Sequence, residues 1–106
     1  MEIWNETYFW KKVGIKIMDK YMSIGTVVEL SKAEETLFMI IGIYVENKDG
    51  EKRDYVAVRY PMGAMDNSHY YFFNNTDIKD VVYEGYVNQD CLTYFDLIKA
   101  IKKREY

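Results

Sequence analysis

The sequence predicts an α+β domain, a small, strongly curled antiparallel sheet or SH3-like partial barrel of about five strands with a helix at each end. Three observations predict it. Runs rich in Val, Ile, Tyr and Phe recur between clusters of turn-forming residues. Glycines interrupt those runs where a small sheet would have to bend. The two ends of the chain space their apolar residues at helical rather than alternating intervals. With 106 residues and 49% hydrophobic content, the chain supports one compact core and not two. Residues 1–106 therefore read as a single domain: an arm at 1–22, a β body at 23–86 and a helix at 90–104.

Each element has its own grounds. Asn5-Glu6-Thr7 offers a cap for an N-terminal helix running to about Met22, with Trp10, Val13, Ile17 and Tyr21 at helical spacing. Val13 to Met18 also alternates, so a strand is the rival reading there. Ile24 to Leu30 reads as the first strand, closed by a polar turn at Ser31–Glu35. Thr36 to Glu46 is a long apolar strand in which Gly42 marks a bulge or sharp bend. Asn47 to Lys52 is a hairpin loop, since Asp49-Gly50 favours positive φ. Tyr55 to Tyr60 forms the third strand, and Pro61, the one proline, ends it because proline donates nothing to a ladder. Met62 to Ser68 supplies turn chemistry, and His69 to Phe73 resumes as the fourth strand. Asn74 to Lys79 predicts a short helical turn capped by Asn75 or Thr76, followed by a fifth strand at Val81–Tyr86. Asp90 is the expected cap of a last helix, whose apolar face is Leu92, Phe95, Ile98 and Ile101.

Composition narrows the function classes. A net charge of -3 argues against non-specific nucleic-acid binding, which relies on neutralising phosphates. The lone cysteine, Cys91, cannot close an internal disulfide, so an oxidising compartment gains no support. The longest apolar run, Leu37 to Val45, is too short to cross a bilayer. MEIWNETYFWKK lacks the basic-then-apolar order of a signal peptide. The expectation is a cytoplasmic protein with no membrane insertion.

Catalytic chemistry finds little to stand on. His69 and Cys91 have no neighbouring companion ligand for a metal, and they form a nucleophilic pair only if the fold joins them. Glu34-Glu35 sits in an expected turn, where a solvated pair outweighs an acid–base couple. Gly25, Gly42, Gly63 and Gly85 are scattered and form no phosphate-cradling loop. Tyr70 to Phe73 could stack bases, but that strand has no basic neighbours. We therefore expect no enzyme, no cofactor, no metal and no nucleic acid; an unrecognised enzyme or nucleic-acid-binding β domain is the alternative.

A protein-binding module remains. Tyr, Trp and Met concentrate binding energy because they bury much area and keep an adaptable or polar handle. Tyr60, Pro61, Met62 and Met65 lie together on a loop between strands, and Trp4 and Trp10 on the arm; these are the candidate partner-binding residues. For Met62 and Met65 two readings stand: packing back onto the body, or contact with a partner. For the rings of the arm they are covering a face of the body, or docking a partner.

Several short motifs, in order, also carry a resemblance. They are Ile24-Gly25-Thr26-Val27-Val28-Glu29-Leu30, Phe38-Met39-Ile40-Ile41-Gly42, Asp54-Tyr55-Val56, Tyr60-Pro61-Met62-Gly63, Tyr71-Phe72-Phe73-Asn74, Asp77-Ile78 and Val82-Tyr83-Glu84-Gly85-Tyr86. Over roughly Ser23 to Tyr86 the chain resembles the domain-of-unknown-function 4176 family of Gram-positive bacteria, small proteins often encoded beside toxins of the type VII secretion system. The resemblance implies a cytoplasmic accessory, an adaptor or chaperone whose partner is a secreted toxin or its helical companions. It implies no catalytic residue. Where that family usually has an acidic residue after Tyr-Pro, this chain has Met62.

Overall fold

The computed structural model describes residues 20–105. Nearly all of the expected N-terminal helix, with Trp4 and Trp10, lies outside them. Where they overlap the helix is absent: residues 20–22 are a bend followed by irregular chain. Tyr21 and Met22 are instead drawn inward, and the Met22 N–H donates to the Tyr55 hydroxyl at 2.7 Å.

From there the chain runs β1 (Val27–Leu30), β2 (Ala33–Glu46), β3 (Lys52–Tyr60), β4 (Tyr71–Phe73), a 3₁₀ turn (Asn75–Asp77), β5 (Ile78–Tyr83) and α1 (Gln89–Glu105). The five strands form one antiparallel sheet in the order β4-β3-β2-β1-β5. The fold is thus α+β with five antiparallel strands, as expected, but the sheet is open. β4 and β5 are its two edges, so the closure expected of a curled sheet or SH3-like partial barrel is not made. β4 stops after three residues because Asn74, Asn75 and Asp77 enter side-chain hydrogen bonds instead of a ladder.

Local chemistry sets the element ends. The register between β2 and β3 slips by one residue between Ile40 and Gly42, so Ile41 is the bulge and Gly42 follows it. A Cβ on Gly42 would lie 2.6 Å from Val56 Cγ1, which explains the missing side chain. β2 starts at Ala33, before the expected Thr36, because Glu29 Oε2 accepts the Glu35 N–H at 2.7 Å and keeps that irregular residue beside β1. β4 starts at Tyr71 and not His69, whose ring is held by Asp66. β5 occupies Ile78–Tyr83, not Val81–Tyr86, because Gly85 N–H leaves the sheet to donate to Thr26 Oγ1 at 3.0 Å. The cap of the 3₁₀ turn is Asn74, and that of α1 is Asn88, whose Oδ1 accepts the Cys91 N–H at 3.0 Å.

Registers sort the side chains onto two faces. On the first face stand Val28, Phe38, Ile40, Ala57, Ile43, Tyr55 and Phe73, all buried. Tyr21 and Met22 cover them together with Phe95 and Ile98 of α1. The rings interlock edge-on or tilted, Tyr55 with Phe73 at 5.6 Å and Tyr21 with Phe95 at 5.9 Å between centroids. Leu92, expected in the apolar face of α1, is exposed, because the helix buries the line through Phe95 and Ile98 instead. The second face carries the row Tyr83–Val27–Met39–Val58 across four strands, flanked by Leu37 with Tyr60 and by Val56 with Phe72.

Candidate functional site

The loop between β3 and β4 opens at Tyr60, passes a cis Tyr60–Pro61 peptide, and turns at Gly63, where φ is 73°. The Gly63 N–H donates to the Arg59 carbonyl at 2.7 Å, tying the turn to the strand end. Beyond it Asp66 organises the return. Its Oδ1 accepts from the Ser68 N–H at 2.8 Å and the Ser68 hydroxyl at 2.7 Å, and lies 2.6 Å from His69 Nδ1. Those hydrogen bonds, from Ser68 first and His69 next, hold the exposed Asp66 carboxyl down at about 2. Asp66, Ser68 and His69 are therefore spent on the loop's own shape. The loop's apolar side chains face outward: Tyr60 is 53% exposed, Met62 44%, Met65 55% and Tyr70 39%. Of the candidate partner-binding residues the fold thus brings Tyr60, Pro61, Met62 and Met65 to one exposed loop; Trp4 and Trp10 lie outside the described residues.

Asp66, Ser68 and His69 have the composition of a hydrolytic triad without its geometry. In a triad the serine and the carboxylate sit on opposite ring nitrogens. Here both meet Nδ1, and the serine hydroxyl donates to the carboxylate. Cys91 is half-buried in the first turn of α1, where loss of hydration pushes its thiol up, away from reactive thiolate. No hydrogen bond joins it to His69. Among the described residues no three His, Cys, Asp or Glu side chains are grouped closely enough to hold a metal, and no helix is long and apolar enough to cross a membrane.

The other end of the same hairpin is built differently. Asp54 opens it, with Oδ1 accepting from the Tyr21 hydroxyl at 3.1 Å and from Lys102 Nζ at 3.0 Å, and Oδ2 from the Asn75 N–H at 2.9 Å. Tyr55 donates its hydroxyl to Asn75 Oδ1 at 2.5 Å, and Asn74 Oδ1 accepts the Asp54 N–H at 2.9 Å. Burial drives the Tyr55 hydroxyl far above the usual phenol range and the Tyr21 hydroxyl up to about 12. Burial alone would lower Lys102, but hydrogen bonds to Tyr21 and Asp54 outweigh it and raise the ammonium to about 12. The Lys102 ammonium also stands 5.0 Å from the Tyr21 ring centre. This cluster joins the start of the described chain, the hairpin, the 3₁₀ turn and α1. Its partners are 20 to 48 residues apart in sequence, so no spacing rule could have revealed it.

Several of the motif residues quoted above, Asp54, Tyr55, Asn74 and Asp77, meet in or beside this cluster. The family model for a domain of unknown function, DUF4176, matches residues 21–93. The chain belongs to the DUF4176 family. The match begins at Tyr21, where the cluster begins, and ends inside α1. No curated protein and no solved structure matches the chain.

Proposed function

We propose that this DUF4176 chain is a non-catalytic, cytoplasmic accessory that binds a protein: an adaptor or chaperone for a toxin of the type VII secretion system or its helical companions. The observation that carries the reading is the exposure of Tyr60, Met62, Met65 and Tyr70 on a loop whose Asp66, Ser68 and His69 already bond one another. A loop held at both ends by strands presents contacts from a fixed base. Methionine adapts to irregular partners, and tyrosine adds rigid area with a hydroxyl handle.

Co-expression with a type VII secretion toxin from the same genome tests the reading. The chain and toxin should co-elute, and Met62→Ser with Met65→Ser should weaken the complex by about 1–3 kcal/mol. Thermal stability should move by less than about 0.5 kcal/mol, since both side chains are exposed. Undiminished binding would remove the loop from the interface, and failure to co-elute would remove the toxin as the partner.

A further inference from the structure

We propose that Arg59, at the foot of the Tyr60–Tyr70 loop, receives a carboxylate, and that the partner docked there presents an Asp or Glu among apolar side chains. This rests on the reading of that loop as the partner surface. Register places Arg59 opposite Phe38, so its side chain stands on the first face, one step beyond the pair of Ala57 with Tyr71. The residue is half-buried there. Its Nε is shut off from water, yet no acceptor meets it. Among the described residues it is the one buried side-chain nitrogen or oxygen without a hydrogen bond. A buried donor left unmet weakens a fold, and such an exception calls for a reason.

Carboxylates at this end of the sheet are engaged elsewhere. Asp66 accepts from Ser68 and lies against His69, Glu29 accepts the Glu35 N–H, and Glu34 pairs with Lys79. An acceptor delivered from outside the chain completes the bonding. Arginine is long, and since its head is bonded to nothing, turning it toward an arriving acceptor sacrifices no hydrogen bond. The Gly63 N–H donates to the Arg59 carbonyl, so the first turn of the loop is fastened to the residue that carries the charge. Met62 and Met65 follow it, exposed. A guanidinium presents its N–H groups as a planar fork that matches two carboxylate oxygens. From Tyr60 to Phe73 there is no Lys or Arg, so the site offers one fixed positive charge. That suits a singly charged carboxylate and not a doubly charged phosphate group.

A random peptide library displayed on phage and panned on the full chain supplies the probe. Recovered peptides should carry an Asp or Glu flanked by apolar residues. With those peptides synthesised, Arg59→Met should raise Kd by about tenfold to a hundredfold. Changing the acidic residue to its amide should cost the parent chain a similar factor and the variant nothing. Arg59→Met keeps an unbranched apolar stem and removes the unmet donor, so its melting temperature should match or exceed the parent's. A clear fall in melting temperature would place the acceptor within the chain and overturn the proposal. Peptides weakened by Met62→Ser with Met65→Ser but not by Arg59→Met would overturn it and leave the loop reading standing. The reverse dependence would remove the loop reading alone. Peptides indifferent to all three substitutions, or none recovered, would overturn both. Inorganic phosphate displacing the peptides at concentrations where acetate does not would assign the guanidinium to a free anion and overturn the proposal equally.

Discussion

The hairpin from Asp54 to Phe73 has two ends made of similar residue types and wired in opposite ways. At the Asp54 end, polar groups bond to partners far away in sequence, and aromatic rings are buried. At the Tyr60–Tyr70 end, polar groups bond to residues one to four positions away, and the large apolar side chains are exposed. The difference teaches where stability and recognition are separated. Long-range bonds made in a dry place hold the fold, because an unmet partner there costs its full desolvation. Short-range bonds in water shape a loop without linking it to the core, which leaves its apolar tips available.

The largest expected effect comes from cutting the first end. Asp54→Ala leaves Lys102, the Tyr21 hydroxyl and the Asn75 N–H without their acceptor, and should destabilise by about 3 kcal/mol in urea unfolding. A change below about 1 kcal/mol would mean water replaces the carboxylate freely, and the contrast between the ends would vanish.

Gly42→Val comes next. Its side chain must displace Val56 or shift β2 at the bulge, at a cost of about 1–3 kcal/mol. An unchanged melting curve would show that the bulge relaxes and that β2 does not depend on it. That glycine was legible in the sequence because it interrupts a long apolar run. The Asn47–Gly50 turn was legible for a similar local reason: Asn47 Oδ1 accepts from the Asp49 and Glu51 amides, and Gly50 takes φ 80°. The misses share another cause. The start of β4, both ends of β5 and the cap of α1 lie two or three residues from where the sequence pattern puts them, because His69, Gly85 and Asn88 are held by side-chain bonds that no periodicity encodes. The barrel closure that the strand pattern predicts is not made, since the polar cluster after Phe73 takes the backbone away from the ladder. The loop tip was legible as a loop and as apolar. The Asp54–Lys102 pairing was not, because 48 residues separate its members.

Alkali provides a finer probe of the first end. The folded-state values of Tyr21 and Lys102 are raised to about 12, from 10.0 and 10.5. A raised value means the folded chain keeps its protons longer than the unfolded one. The stability they contribute is therefore fully present below pH 10 and is lost as pH rises from there through about 12. Melting temperature should fall across that window, and Tyr21→Phe should flatten the fall. An identical slope in the variant would assign the alkaline transition to other groups.

The smallest effect belongs to the loop tip, where Met62→Ser with Met65→Ser should leave unfolding within about 0.5 kcal/mol of the parent. Parallel loss of stability would return both methionines to the folding side of the comparison.

Native-state hydrogen exchange on the full chain tests the separation itself. The amides of Met22, Asp54 and Asn75, bonded to Tyr55, Asn74 and Asp54, should exchange only through global unfolding, while the Ser68 amide, bonded to Asp66 on the exposed loop, should exchange through local opening many times faster. Equal protection at Ser68 and Asn75 would contradict the account, because it would make the loop part of the same cooperative unit as the core.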